Sequence, residues 1–442
     1  MTASVRASRA VSSPRRALRA LCVAALLLAP PALVLLAVEA EPRVADWAPA
    51  DGVAAEQARG AAERLRALMD DGDVRAGWTS TEAEINAVLA SAARLVPGMR
   101  GRASLEADRM TVEASVGTPL LPSGLWANLR VAFADADDGL HVLEARVGRL
   151  PLPPALAEAG LRFGLDRALG PGSGTEAMQS VAGLAVSPEA ARLTFRTDAE
   201  GRVPLLEMIR ARARGAAGAS ARELAAAQLA AIQAAVRSGR LPRDGSFLPY
   251  LAFVIDAAAG QPGPERARAR GALYALALYC GDPGFETVIG VSLPGRMLGA
   301  RNGCAGTTLA GRDDLRRHFV LSAGLDAATS SSAAFGVGEL KELLDTNPGG
   351  SGFSFDDMTA DVAGVRFART FLAAGPDGWA ALAARVGDEG AVLPSLAGLP
   401  SGLSSDEFVA RYGSVDSDAY AALVAEIDRR VDALPLHASA RF

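Results

Sequence analysis

Between residues 103 and 147 apolar side chains recur at every second position, and beyond residue 203 that period does not return. Ala103, Leu105 and Ala107 alternate with Ser104, Glu106 and Asp108. Met110, Val112, Ala114 and Val116 alternate with Thr111, Glu113 and Ser115, and Leu125, Ala127, Leu129, Val131 and Phe133 continue the pattern. A period of two gives each segment one core face and one solvent face, the mark of antiparallel strands. Asp137-Asp138-Gly139 supplies a hairpin turn ahead of His141, Leu143, Ala145 and Val147. Pro151, Pro153 and Pro154 end the sheet, a helix is expected to about Leu169, and Leu193 and Phe195 mark one further strand. His141 alternates with apolar neighbours, so it is expected in or at the edge of the sheet rather than as a ligand.

Helical spacing appears on either side of this stretch. Ala54, Ala58, Ala61, Leu65 and Leu68 form one stripe. Thr79-Ser80-Thr81-Glu82 and Thr81-Glu82-Ala83-Glu84 both read as capping boxes, and they open a helix with Ile85, Val88, Leu89 and Ala92 on its apolar face. Beyond residue 203, helices are expected over 221–236, 247–259, 265–279 and 423–431. Half of the residues are hydrophobic but only 5% are aromatic, so cores are built from Ala, Leu and Val, which suits closely packed helices. A chain of 442 residues has room for two or three domains. The expected fold class is α+β: an N-terminal transmembrane helix, a small antiparallel α+β domain over 45–200, and a larger all-α domain over 203–442.

The membrane helix is read from Arg6, Arg9, Arg15, Arg16 and Arg19, followed by an uncharged run from Ala20 to Val38. That run is roughly 28 Å long as a helix, enough for a bilayer core. The arginines hold residues 1–19 in the cytoplasm, so the rest of the chain is expected in the periplasm as a single-pass inner-membrane protein. The 20–38 segment reads either as an uncleaved anchor or as a signal peptide cut at Val38-Glu39-Ala40. Cys22 lies within it and has no lipobox before it, leaving Cys280 and Cys304 either as a disulfide or as two buried thiols. A net charge of −5 argues against a nucleic-acid partner, so the expected partners are the membrane and an envelope protein or lipid.

Chemistry gathers between Gly311 and Ala368. Lys341 is the only lysine of the chain, set among arginines, and lysine is a compact point charge where arginine is a planar fork. Asp314 and His318 share a helix face at i,i+4, so the carboxylate is expected to orient the imidazole. Glu342 and Asp345 are i,i+3 on the next helix, beside Glu339. After the loop Asn347–Ser354, with Ser354 as N-cap, Asp357 and Asp361 stand at i,i+4, and Gly364 is small enough for close helix packing. No GxSxG, P-loop, HExxH or CxxC motif occurs.

The order H-F, K-E-x-x-D, then G-S-G-F-S-x-x-D-x-x-x-D-x-x-G over residues 311–368 resembles the YfiM-like family of small envelope lipoproteins and, more distantly, VanZ-like membrane proteins. The resemblance implies a polar core of Asp314, His318, Lys341, Glu342, Asp345, Asp357 and Asp361 without implying an activity. Three readings of this core stand open: a charge network that fixes helix packing, an acid/base or metal centre, and a docking surface. For catalysis the candidates are His318, Glu342 and Asp361. For a metal they are His318, Glu342, Asp345, Asp357 and Asp361. One histidine among carboxylates suits Mg²⁺, Mn²⁺ or Ca²⁺ better than Zn²⁺. The functional expectation is an envelope accessory or binding protein, with a metal-dependent or acid/base hydrolase of an envelope component as the alternative.

Overall fold

The computed structural model describes residues 36–44, 50–71, 77–95, 98–117, 124–169, 171–197, 218–282, 284–289, 304–329 and 331–437. Its main sheet is antiparallel and six-stranded. It comprises β1 (Val38–Glu39), β3 (Met99–Leu105), β4 (Arg109–Val116), β5 (Trp126–Ala134), β6 (Val142–Val147) and β7 (Leu150–Leu152), in the order β3-β4-β5-β6-β7. β1 joins at Trp126 and Ala127, ahead of the β5 residues that pair with β6. A second sheet has the order β2-β9-β8, from β2 (Trp78–Ser80), β8 (Val181–Val186) and β9 (Ala191–Phe195).

The alternating side chains of the two sheets meet in one small core of Leu105, Val131, Phe133, Val142, Ala145, Leu184 and Val186. The Glu82–Leu95 helix covers strand β3 and satisfies its outer backbone groups. Asn86 receives the Ala103 N–H at 2.8 Å and donates to the Ala103 carbonyl at 2.9 Å, while Glu82 accepts from Leu105 N–H. An edge that would otherwise offer free N–H groups to another strand is thereby closed. His141 lies outside the strands. It is exposed in the β5–β6 turn, 2.6 Å from an Asp138 oxygen, because the strand begins one residue later.

Two parts of the expected fold class need correction. The first is the transmembrane helix over 20–38. Most of that segment lies outside the described residues, and no described helix is long and apolar enough to cross a membrane. Its last residue, Val38, is in extended backbone paired with Ala127, because Val38-Glu39 complete a sheet rather than a helical turn. The second is the purely helical character of 203–442. Strands β10 (Asp244–Ser246) and β11 (Gly306–Thr308) form a parallel pair inside it.

In the larger core the helices Ala219–Arg237, Leu248–Gly260, Glu265–Leu276, Asp313–Ala328, Phe355–Arg385 and Asp418–Asp432 pack together. The Phe355–Arg385 helix breaks at Gly375, where φ is +61°, immediately before Pro376. Ala50, Ala55 and Ala90 also belong to this core, so the helices that precede the sheet pack on the Ser331–Asp345 helix. Arg94 reaches buried Glu339 at 2.9 Å, and the Tyr420 hydroxyl donates to the same carboxylate at 2.5 Å. Contacts therefore cross the boundary expected near residue 200.

Cys280 and Cys304 form a disulfide, with Cα atoms 4.9 Å apart. Cys280 sits in a π-helical turn, Ala277–Gly281, that ends the Glu265–Leu276 helix, and both cysteines are buried. A cross-link closing a loop of this length stabilises by about 3 kcal/mol, mainly by restricting the unfolded chain. Replacing both cysteines by alanine is expected to lower the unfolding free energy in urea by about that amount. A loss below about 1 kcal/mol would mean that the bond contributes little.

Candidate functional site

Three helices converge on His318. The Asp313–Ala328 helix carries the histidine, the Ser331–Asp345 helix carries Glu339, Lys341, Glu342 and Asp345, and the Phe355–Arg385 helix carries Asp357 and Asp361. Two glycines bring them close enough. A Cβ on Gly364 would run into the backbone carbonyl of Phe319, and a Cβ on Gly338 would stand 2.6 Å from an Asp361 oxygen. Ser354 caps the third helix, its hydroxyl accepting from Asp357 N–H at 3.1 Å, which fixes where the Asp357 carboxylate starts its turn.

His318 Nδ1 lies 3.1 and 3.2 Å from the two Asp361 oxygens. Because a carboxylate only accepts, Nδ1 carries the proton. Ser322, one turn beyond His318, also donates to Asp361, at 2.6 Å. This anchoring turns Nε2 the other way, where Lys341 Nζ is at 2.9 Å, Asp357 Oδ2 at 3.4 Å and Glu342 Oε1 at 3.9 Å. Lys341 Nζ is also 3.0 Å from Glu342, 2.8 Å from Asp345 and 3.7 Å from Asp357. The Glu342 side chain is fully buried, and its second oxygen accepts from the Ser354 N–H at 2.9 Å.

Asp314 is not the partner of the imidazole. Arg312 takes it, at 2.7 and 3.1 Å, and reaches on to Asp356 at 2.6 Å and Asp357 at 3.1 Å. Asp345 sits at the rim, linked to Lys341 and to the Ser351 hydroxyl. Asp345 also lines a cleft of about 480 Å³ walled by the loop 346–352 and by Gly402, Ser404, Ser405 and Asp406. His437 is elsewhere, with Nδ1 2.8 Å from the Thr370 hydroxyl. Burial pushes it down to about 4, so it is neutral.

The charges do not balance. Asp314, Glu342, Asp345, Asp356, Asp357 and Asp361 are six acids facing three bases, Arg312, His318 and Lys341. Burial opposes the His318 charge, but Asp361 outweighs it with help from Asp357 and lifts the imidazole to about 9. Burial pushes Glu342 up to about 7, against the pull of Lys341 and His318. Burial also opposes the Lys341 charge, yet Glu342 and Asp345 hold the ammonium above its usual range. Burial raises Asp356 as well, although Arg312 resists.

His318, Glu342 and Asp357 each offer one ligand atom, all within 4.8 Å of one another, and this group can hold a metal ion. The Asp361–His318 contact has the form of the carboxylate that fixes the ring of a metal-bound histidine. Asp345 and Asp361 lie outside the group of three: Asp345 bonds Lys341, and Asp361 is occupied by His318 and Ser322. Spacing along the chain gives no sign of Arg312 or Asp356 as participants, and it marks Ser354 only as a cap. Ser322 carries a signal in its i,i+4 spacing from His318.

No family model, no curated protein and no solved structure matches this chain. The fold and site define an α+β protein with a buried His–carboxylate centre between three helices.

Proposed function

We propose that the protein binds one divalent cation at His318, Glu342 and Asp357 and acts outside the cytoplasm as an accessory or binding protein of the cell envelope. The observation that carries the metal reading is the convergence of one imidazole nitrogen and two carboxylates, backed by the Asp361 contact that points Nε2 into the group. The surplus of acids over bases favours a cation of charge two. A mixed nitrogen–oxygen set suits Mn²⁺ over Mg²⁺ and Ca²⁺, which prefer oxygen alone. The compartment is supported by the Cys280–Cys304 disulfide, since such bonds persist in oxidising surroundings.

A second reading, a metal-dependent hydrolase of an envelope component, is favoured by the cleft beside Asp345. An ion at the group of three would sit one carboxylate away from a ligand held there.

The test is thermal unfolding of the full chain after EDTA, alone and with Mn²⁺, Mg²⁺, Ca²⁺ or Zn²⁺ added. An ion that binds only the folded state at about 100 times its dissociation constant adds about 2.7 kcal/mol. Mn²⁺ is expected to raise the midpoint of the wild type but not of Glu342→Gln. Equal midpoints with and without every ion would remove the metal reading and leave the cluster as packing.

A further inference from the structure

The Lys341 ammonium occupies the space that an ion at the candidate centre would need. Nζ lies 2.9 Å from His318 Nε2, 3.0 Å from Glu342 Oε1 and 3.7 Å from Asp357 Oδ2, so it stands against all three residues of the group. An ion cannot meet those atoms while a unit positive charge stands among them. Lys341 nevertheless has somewhere to go. Its side chain is 43% exposed, and Nζ already touches Asp345 at 2.8 Å, one helical turn along, where Asp345 lines the cleft. Asp345 can therefore keep the ammonium paired after it leaves the other three groups.

We propose that Lys341 is a tethered internal cation that fills the His318–Glu342–Asp357 centre and swings out toward Asp345 when a divalent ion enters. The proposal rests on the metal reading above and adds its regulation. Without an ion, the lysine keeps the carboxylates from repelling one another and holds the ligand atoms together. With an ion, the lysine is released on the cleft side, where its charge is offered to whatever the cleft binds. The geometry also accounts for the residue type. A compact ammonium on a flexible stem fits among three ligand atoms and can leave them, whereas the planar guanidinium used at the other 44 of the 45 Lys+Arg positions carries its charge over a rigid fork.

Because the chain has a single lysine, its exposure can be read directly. The full chain is stripped with EDTA and acetylated at lysine with and without Mn²⁺, and modification at Lys341 is followed by peptide mass spectrometry. Mn²⁺ affinity is measured in parallel for wild type and for Lys341→Met, which keeps the stem and removes the charge. The expected results are Lys341 acetylation accelerated at least about threefold by Mn²⁺, and Mn²⁺ bound at least about tenfold more tightly by Lys341→Met, since removing a positive charge a few ångströms from an ion favours it by that order or more. Mn²⁺ binding by the variant but not by wild type overturns the proposal, because the lysine then never leaves the centre. Equal affinities together with an unchanged acetylation rate overturn the plug and leave the metal site standing. Failure of both proteins to bind any ion overturns the metal reading and the plug with it.

Discussion

Asp361→Ala is expected to destabilise the protein by about 3–5 kcal/mol, the usual cost of removing one partner from a buried, hydrogen-bonded charge pair. The residue is 3% exposed, holds both edges of its carboxylate against His318 Nδ1, and takes the Ser322 hydroxyl at 2.6 Å. Without it the imidazole loses the group that lifts it to about 9 and the serine loses its acceptor. The pH dependence identifies the cause. A histidine raised from 6.5 contributes stability that is fully present below 6.5 and is lost as pH rises through about 9. The wild-type unfolding free energy should therefore fall across that window, and the fall should be absent in Asp361→Ala. Metal affinity should drop roughly 10–100-fold, as when a histidine ligand loses its orienting carboxylate. Urea unfolding at pH 6 and pH 9 reads the stability part. A loss below about 1 kcal/mol at pH 6 would show that the pair is not a structural element.

Gly364→Ala is expected to cost about 3 kcal/mol although it adds a single methyl group. The added carbon would meet the carbonyl oxygen, carbonyl carbon and Cα of Phe319, which are backbone atoms that cannot rotate away. The helices would have to separate at the residue next to His318 and one turn from Asp361, so the metal response should weaken with the stability. Gly160→Ala is the control. It lies in the Pro154–Leu169 helix with nothing within 4 Å of a new Cβ, so it should be neutral or stabilise by up to about 1 kcal/mol. Equal effects at the two glycines would mean that the close approach at Gly364 is unimportant.

The local parts of this account were legible in the sequence, and the tertiary parts were not. Period two over 110–116 marks a strand because each side chain there sees only two environments, and residues 109–116 form β4. The caps at Thr81 and Ser354 are legible because they satisfy N–H groups three residues away. The site shows the limit. Spacing within one helix pairs His318 with Asp314, but the structure gives that acid to Arg312 and brings Asp361 from 43 residues along the chain. Nothing local encodes that choice, which depends on Gly338 and Gly364 letting the helices approach. The Arg94–Glu339–Tyr420 contact is of the same kind, joining positions 245 and 81 residues apart. The 20–38 run misled for a different reason. Hydropathy over a window reports length and lack of charge, and it does not register that Val38 ends in a strand beside Ala127.

The central claim is that His318, Glu342 and Asp357 together hold one divalent ion, and equilibrium dialysis of the EDTA-stripped full chain against Mn²⁺ tests it most directly. The account predicts one Mn²⁺ per chain, lost on Glu342→Gln and on Asp357→Asn while both variants remain folded by circular dichroism. Stoichiometric binding that survives both substitutions, or no binding by wild type, would contradict it.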